Sequence, residues 1–136
     1  IGASRRVVEE LGDYARETGT ARDPRVRHKL ADLLVRVEVG IWLCYRVAWM
    51  QDHGQNVDTA ASISKTFGTE LMQFISNTGM EILGLYGQLK AGSERVRMEG
   101  HIEEWYLSNL GRTIAAGASE VQRNIIATRG LGLPRG

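Results

Sequence analysis

The chain contains one cysteine, two prolines and no apolar run of membrane-spanning length. Each scarcity removes a class of protein. A lone Cys44 cannot build an internal disulfide framework and fits a reducing compartment, so a cytoplasmic location is expected. No apolar run approaches the roughly 18 residues that mark a spanning helix, and the opening IGASRRVVEE lacks the layout of a signal peptide. Neither sign of charge dominates. Seventeen Lys and Arg against 16 Asp and Glu leave a formal net charge of +1, which points to no nucleic acid and no acidic membrane surface as partner. The histidines, His28, His53 and His101, show neither Glu-x-x-His nor His-x-x-x-His spacing. A di-iron bundle needs paired Glu-x-x-His motifs on facing helices, so no metal site is expected.

What is present is a domain-sized chain of 136 residues, 43% hydrophobic and 24% charged, near the globular average. It begins with Ile rather than Met, which raises the expectation of a fragment of a longer protein, cut part-way into its first helix.

The apolar residues recur at helical spacing. Val7, Val8, Leu11, Tyr14 and Ala15 form one stripe over residues 4–17, the pattern of an amphipathic helix. Asp23-Pro24 is a start signal, because Asp caps free N–H groups and Pro at the first helical position loses no hydrogen bond. From there Val26, Leu30, Leu33, Val37, Ile41, Cys44 and Ala48 step by three or four to residue 51, flanked by Val35, Val39, Trp42 and Trp49. The second half of this helix is apolar nearly all round, so burial on several sides is expected. Cys44 reads as a buried, inert thiol, and Glu38 as an acid paired with Arg46 or with a neighbouring helix.

Asp58 reads as the next N-cap, with Ile63, Phe67, Leu71, Phe74 and Ile75 carrying a helix to about Thr78, with an irregular continuation through GMEILGLYGQL as the alternative. Gly79, Gly84 and Gly87 then cost about 1 kcal/mol each inside a helix, which predicts a turn or a close backbone approach. Residues 90–100 read as a loop. Ile102, Trp105, Tyr106, Leu110 and Ile114 mark a fourth helix, and SEVQRNIIATR a fifth. Five helical segments without a strand predict an all-α, antiparallel four-helix-type bundle.

Two glycine clusters stand apart from the stripes: GMEILGLYG and AAGAS. Neither is a GxGxxG or P-loop fingerprint. Each reads either as a tight helix connection or as backbone turned toward a ligand, and one helical hairpin between them would let them converge. Ser119 offers an N-cap to a helix whose positive end accepts anions or polar ligand oxygens.

The stretch GASEVQRNIIATRGLGLPR resembles the carboxy-terminal signature of the acyl-CoA dehydrogenase family. SKTFGTELMQF, with Lys65 and Glu70, is similar to another family helix, and GMEILGLYG to its Gln-x-x-Gly-Gly-x-Gly flavin-contact motif. Order and spacing agree across essentially the whole chain. The resemblance implies the carboxy-terminal helical domain of a flavoprotein that also has an amino-terminal helical and a middle β-domain. It implies FAD, oxidation of an acyl-CoA to the 2,3-enoyl-CoA, an electron-transfer partner for flavin reoxidation, and a homodimer, homotetramer or heterotetramer. Alone, residues 1–136 are not expected to be a competent enzyme.

Residue by residue, the flavin motif falls on Glu81, Ile82, Leu83, Gly84 and Leu85. Glu81 replaces the Gln that usually contacts the ADP part of a neighbouring subunit's FAD, and Leu85 replaces a glycine. In the terminal motif Ala118, Ser119 and Glu120 match flavin-contacting positions, and Gly117 the position beside the substrate thioester. Gln122 and Arg123 match positions that hold the turn. Ala116 occupies the place of the catalytic glutamate found in many members, and alanine cannot act as a base. Three readings follow: a base on a helix preceding residue 1, an active site completed by a partner subunit, or drift to another flavin reaction or to none. The rival from another class is a non-catalytic helical assembly module built on the Trp-rich helix.

Overall fold

The computed structural model describes residues 2–134. Five α-helices carry the chain: α1 (Gly2–Glu17), α2 (Pro24–Asp52), α3 (Asp58–Leu83), α4 (His101–Arg112) and α5 (Ser119–Ile125). Among the described residues there is no strand. The fold is the expected all-α bundle, with α1 to α4 antiparallel in sequence and α5 laid back along the first half of α3.

Local chemistry sets the boundaries that sequence reads well. Asp23 caps α2 by accepting from the Arg25 amide at 2.8 Å, and the Arg25 side chain and amide together hold the Asp23 carboxyl below its ordinary range. Asp58 lies just inside α3 rather than capping it. Asn56 Oδ1 takes the Asp58 amide at 2.9 Å, and the Asp58 carboxylate binds Arg129.

Helix α3 is the central post, contributing Leu71, Ile75, Ile82 and Leu83 to the core. It continues past Thr78 to Leu83, because Gly79 is there for packing, not for a turn. A Cβ on Gly79 would stand 2.7 Å from Ile102 Cδ1, so the missing side chain lets α4 seat against α3. Asn109 of α4 donates to the Met72 carbonyl at 3.1 Å, and Gln73 reaches Thr113 Oγ1 at 3.2 Å. The turn falls at Gly84, in a left-handed conformation (φ 57, ψ −131), and a 3-10 segment follows to Gln88.

Two expectations fail on α2. Its second half is not buried within this chain: Trp42 is 68%, Tyr45 62% and Trp49 55% exposed, and the helix buries only Leu33, Val37 and Gly40. Among the described residues no further element lies on that side of the bundle. Cys44 is accordingly exposed rather than buried. Glu38 does pair with a neighbouring helix, through Arg5 of α1 at 3.2 Å, and not with Arg46.

Candidate functional site

After α4 the chain reverses over residues 113–118. The Ala115 amide donates to the Gly111 carbonyl at 2.9 Å, and the Ser119 amide reaches back to Thr113 at 3.0 Å. Between them Ala116 (φ 55) and Gly117 (φ 92) are both left-handed, a conformation that costs an L-residue about 1–2 kcal/mol. Gly117 suits this φ, and a Cβ there would also stand 2.6 Å from Gln122 Nε2, the tip of a flexible side chain that would have to shift.

Side chains from outside hold this strained elbow. Lys65 of α3 donates to the Gly117 carbonyl at 2.6 Å, and Gln122 of α5 donates to the Ala116 carbonyl at 3.2 Å. Arg123 pairs with Glu70 at 2.5 Å and Arg129 with Asp58 at 2.7 Å, which runs α5 and the following π-turn antiparallel along α3. Lys65 and Glu70 therefore both reach into the terminal motif, a contact between residues more than fifty positions apart that no local pattern signals. Gln73 and Thr113, which tie α3 to the base of the elbow, carried no sequence signal either.

Ala116 is exposed, Gly117 and Ala118 are half-buried, and Glu120 is exposed. Ser119 is buried, but it is not the cap expected of it. The N-cap position is Ala118, with no side-chain capping bond, because Ser119 already lies inside the first turn. Its Oγ is fully covered and has no hydrogen-bond partner among the described residues, a costly state for a hydroxyl.

The second cluster lies elsewhere. Glu81 is exposed and paired with Lys29 of α2. Ile82 and Leu83 are core residues at 7% and 3% exposure, so only their backbone is available to a ligand. Gly84 faces open space, Leu85 is 83% exposed, and Gly87 anchors the turn by close packing on Met80 and Leu83. Gly84 stands about 28 Å along α3 from Lys65 at 1.5 Å per residue. The two glycine clusters thus occupy opposite ends of α3 and do not converge within one chain. An open surface pocket of about 610 Å³, lined by Lys90, Gly100, Glu103 and Leu107 among others, contains none of these residues. Among the described residues no group of three His, Cys, Asp or Glu side chains is placed to hold a metal, and no helix is long and apolar enough to cross a membrane.

Residues 1–131 match the family model for the acyl-CoA dehydrogenase C-terminal domain. The chain belongs to that family. Acyl-CoA dehydrogenase IpdE1 of Mycobacterium tuberculosis is 30% identical over 135 residues, 96% of this chain and 32% of that protein. Acyl-CoA dehydrogenase FadE26 of the same organism is 31% identical, over 94% of this chain and 34% of its own. Among solved structures, the Tcur3481-Tcur3483 steroid ACAD superposes with a TM-score of 0.95 at 29% identity, covering 99% of this chain and 35% of the other. The ChsE4-ChsE5 complex from Mycobacterium tuberculosis gives 0.90 at 28%, covering 98% and 36%. The chain thus spans about a third of the length of these relatives.

Proposed function

We propose that residues 1–136 are the carboxy-terminal helical domain of a longer FAD-dependent acyl-CoA dehydrogenase that converts an acyl-CoA thioester to the 2,3-enoyl-CoA. The observation that carries this reading is the elbow. Two segments resembling separate family motifs are joined by direct bonds, Lys65 to Gly117 and Glu70 to Arg123, and the strained backbone they hold is that expected beside the thioester. Strain of this kind persists only where surrounding structure fixes it, and it concentrates at functional turns.

The residues available to a flavin fit such a group. Ser119 offers a covered hydroxyl without a partner among the described residues, Gly84 presents backbone without a Cβ to open space, and Ala118, Glu120 and the 81–85 backbone adjoin them in sequence. FAD, when bound, would supply the acceptor for the hydride leaving Cβ. Because the two candidate surfaces lie about 28 Å apart, one protomer's elbow and another's Gly84 turn would serve each flavin, which favours a homodimer, homotetramer or heterotetramer. Acyl-CoA is the proposed substrate, and an electron-transfer protein the partner that reoxidises the flavin.

Gly117 is assigned to the thioester, whose carbonyl needs hydrogen bonds as enolate charge develops. Proton removal from Cα needs a carboxylate, and Ala116 supplies none. The base is assigned to a glutamate on a helix preceding residue 1. In the full-length protein, changing that glutamate to Gln should lower turnover by about 10²–10⁴-fold, the usual contribution of a general base, while flavin absorbance is retained. Undiminished turnover would remove this assignment and move the base to a partner subunit.

Ala116 also favours a second reading, a non-catalytic subunit of a heteromeric acyl-CoA dehydrogenase-like assembly. A full-length protein that stays colourless after FAD addition would support that subunit. A yellow one that reduces an electron acceptor on adding acyl-CoAs would support the enzyme.

A further inference from the structure

Helix α3 sends three charged side chains to the terminal segment: Asp58, Lys65 and Glu70. The two acids find arginines, Asp58 taking Arg129 at 2.7 Å and Glu70 taking Arg123 at 2.5 Å. Lys65, between them, pairs with no carboxylate among the described residues. Its bond goes to a neutral acceptor, the Gly117 carbonyl, at 2.6 Å. Lys65 is half-buried, and a charge withdrawn from water without an opposite charge is costly. The elbow's amides are in the complementary state. The Ala115 and Ser119 amides are bonded within the turn, whereas the Gly117 and Ala118 amides have no acceptor among the described residues. A trans peptide holds its N–H opposite its C=O in one plane. A donor on the carbonyl therefore fixes the direction of that N–H and, by polarising the peptide, strengthens it as a donor. Gln122 does this to the Gly117 amide through the Ala116 carbonyl, at 3.2 Å. Lys65 does it to the Ala118 amide through the Gly117 carbonyl, and it adds a full charge.

We infer that Lys65 is a positioning residue of the proposed reaction: through the Gly117 carbonyl it aims the elbow's free amides and sets a positive charge behind the thioester oxygen. The inference rests on the reading of the elbow as the thioester site and deepens it. In that reaction a carboxylate takes the Cα proton, and the C–H electron pair moves toward the thioester carbonyl, whose oxygen gains negative charge. That pair returns to form the Cα–Cβ double bond as hydride leaves Cβ for the flavin. Lys65 touches neither the thioester nor the base. Its Nζ lies at most about 8 Å from an oxygen bound to the Ala118 amide, by peptide and hydrogen-bond dimensions. At that range, in a half-buried setting, one charge stabilises the enolate on the order of tenfold. The neutral thioester carries no such charge and gains little. A purely mechanical clamp would act on thioester and enolate alike, whereas a charge acts on the enolate. That difference separates the inferred role from simple support of the turn.

The test uses the full-length protein and acetoacetyl-CoA, a thioester with an acidic Cα proton whose enolate absorbs in the near ultraviolet. The pH at which half of the bound ligand is ionised is read from that absorbance. It should rise by about one unit in Lys65→Met, a tenfold weaker acidity, and stay within about 0.3 units of the original in Lys65→Arg. Affinity for the un-ionised ligand, measured at low pH, should stay within about threefold in both. Lys65→Gln keeps a donor without the charge and should shift the midpoint as Lys65→Met does. It also carries the test if Lys65→Met does not fold. An unchanged midpoint in the uncharged variants would overturn the inference. So would equal weakening of the neutral and ionised ligand, or a Lys65→Arg shift as large as that of Lys65→Met. Original protein that binds the thioester and never ionises it would overturn the inference while leaving the thioester site standing. A full-length protein that binds no CoA thioester would remove the proposed function, and the inference with it.

Discussion

The two glycine-rich turns at opposite ends of α3 solve the same backbone problem by different means. At Gly84 the chain takes a positive φ in open space, and the turn is held by backbone bonds from Gly84 to Met80 and from Leu89 to Tyr86 and by the tight seating of Gly87 against Met80 and Leu83. At Ala116 and Gly117 two consecutive left-handed residues are held by polar clamps, Lys65 on one carbonyl and Gln122 on the other. One turn is apolar at its root and bare at its tip. The other is exposed at Ala116 and pinned from beneath by a half-buried charge. The contrast separates two ways of presenting backbone to a ligand: by leaving out side chains, or by fixing a strained path from outside.

The largest test of that contrast removes the charge. Lys65→Met leaves the Gly117 carbonyl without its ammonium donor, and a hydrogen bond to a charged group contributes about 1.5–3 kcal/mol. Amides of residues 117–121 in the full-length protein should then exchange with solvent at least tenfold faster, at 1.4 kcal/mol per decade, while those of residues 84–88 keep their rates. Equal acceleration at both turns would mean that Lys65 supports the whole bundle rather than the elbow.

A smaller effect separates strain from clamping. Gly117→Ala and Gly84→Ala both place a Cβ on left-handed backbone, at about 1–3 kcal/mol, but only Gly117 has Gln122 in the way. A double-mutant cycle with Gln122→Ala should therefore show a coupling of about 1 kcal/mol for Gly117 and within ~0.5 kcal/mol of zero for Gly84, which shares no partner with Gln122. Additivity at Gly117 would reduce Gln122 to a bystander.

How far the sequence reveals these turns depends on the range of the forces involved. The start of α2 is legible because Asp23 and Pro24 act on the next two residues. The bundle is legible because Leu11, Leu33, Leu71 and Ile102 fall on periodic stripes, and all four are fully or nearly fully buried. Gly79 signals the close approach but not its partner, because Ile102 belongs to the following helix. The second half of α2 is apolar nearly all round, but periodicity does not say what covers such a face, and among the described residues nothing does: Trp42, Tyr45 and Trp49 stay exposed. The candidate site positions rest on the family resemblance alone, whereas the Lys65 clamp on Gly117 and the left-handed Ala116 carry no local sequence signal, since both depend on where α5 docks.

The smallest predicted effect lies at the bare tip. Leu85 stands where the family pattern has glycine, and its side chain is 83% exposed. Leu85→Ala should change stability by no more than ~0.5 kcal/mol, as for surface positions without special contacts. Flavin retention is the sharper readout. If the 84–85 backbone meets a ligand as proposed, shortening Leu85 removes bulk from the approach, and the full-length protein should release FAD more slowly on dilution. A loss of stability above ~1.5 kcal/mol would instead show that Leu85 is packed in the full-length protein, and the turn at Gly84 would then belong with the clamped elbow rather than opposite it.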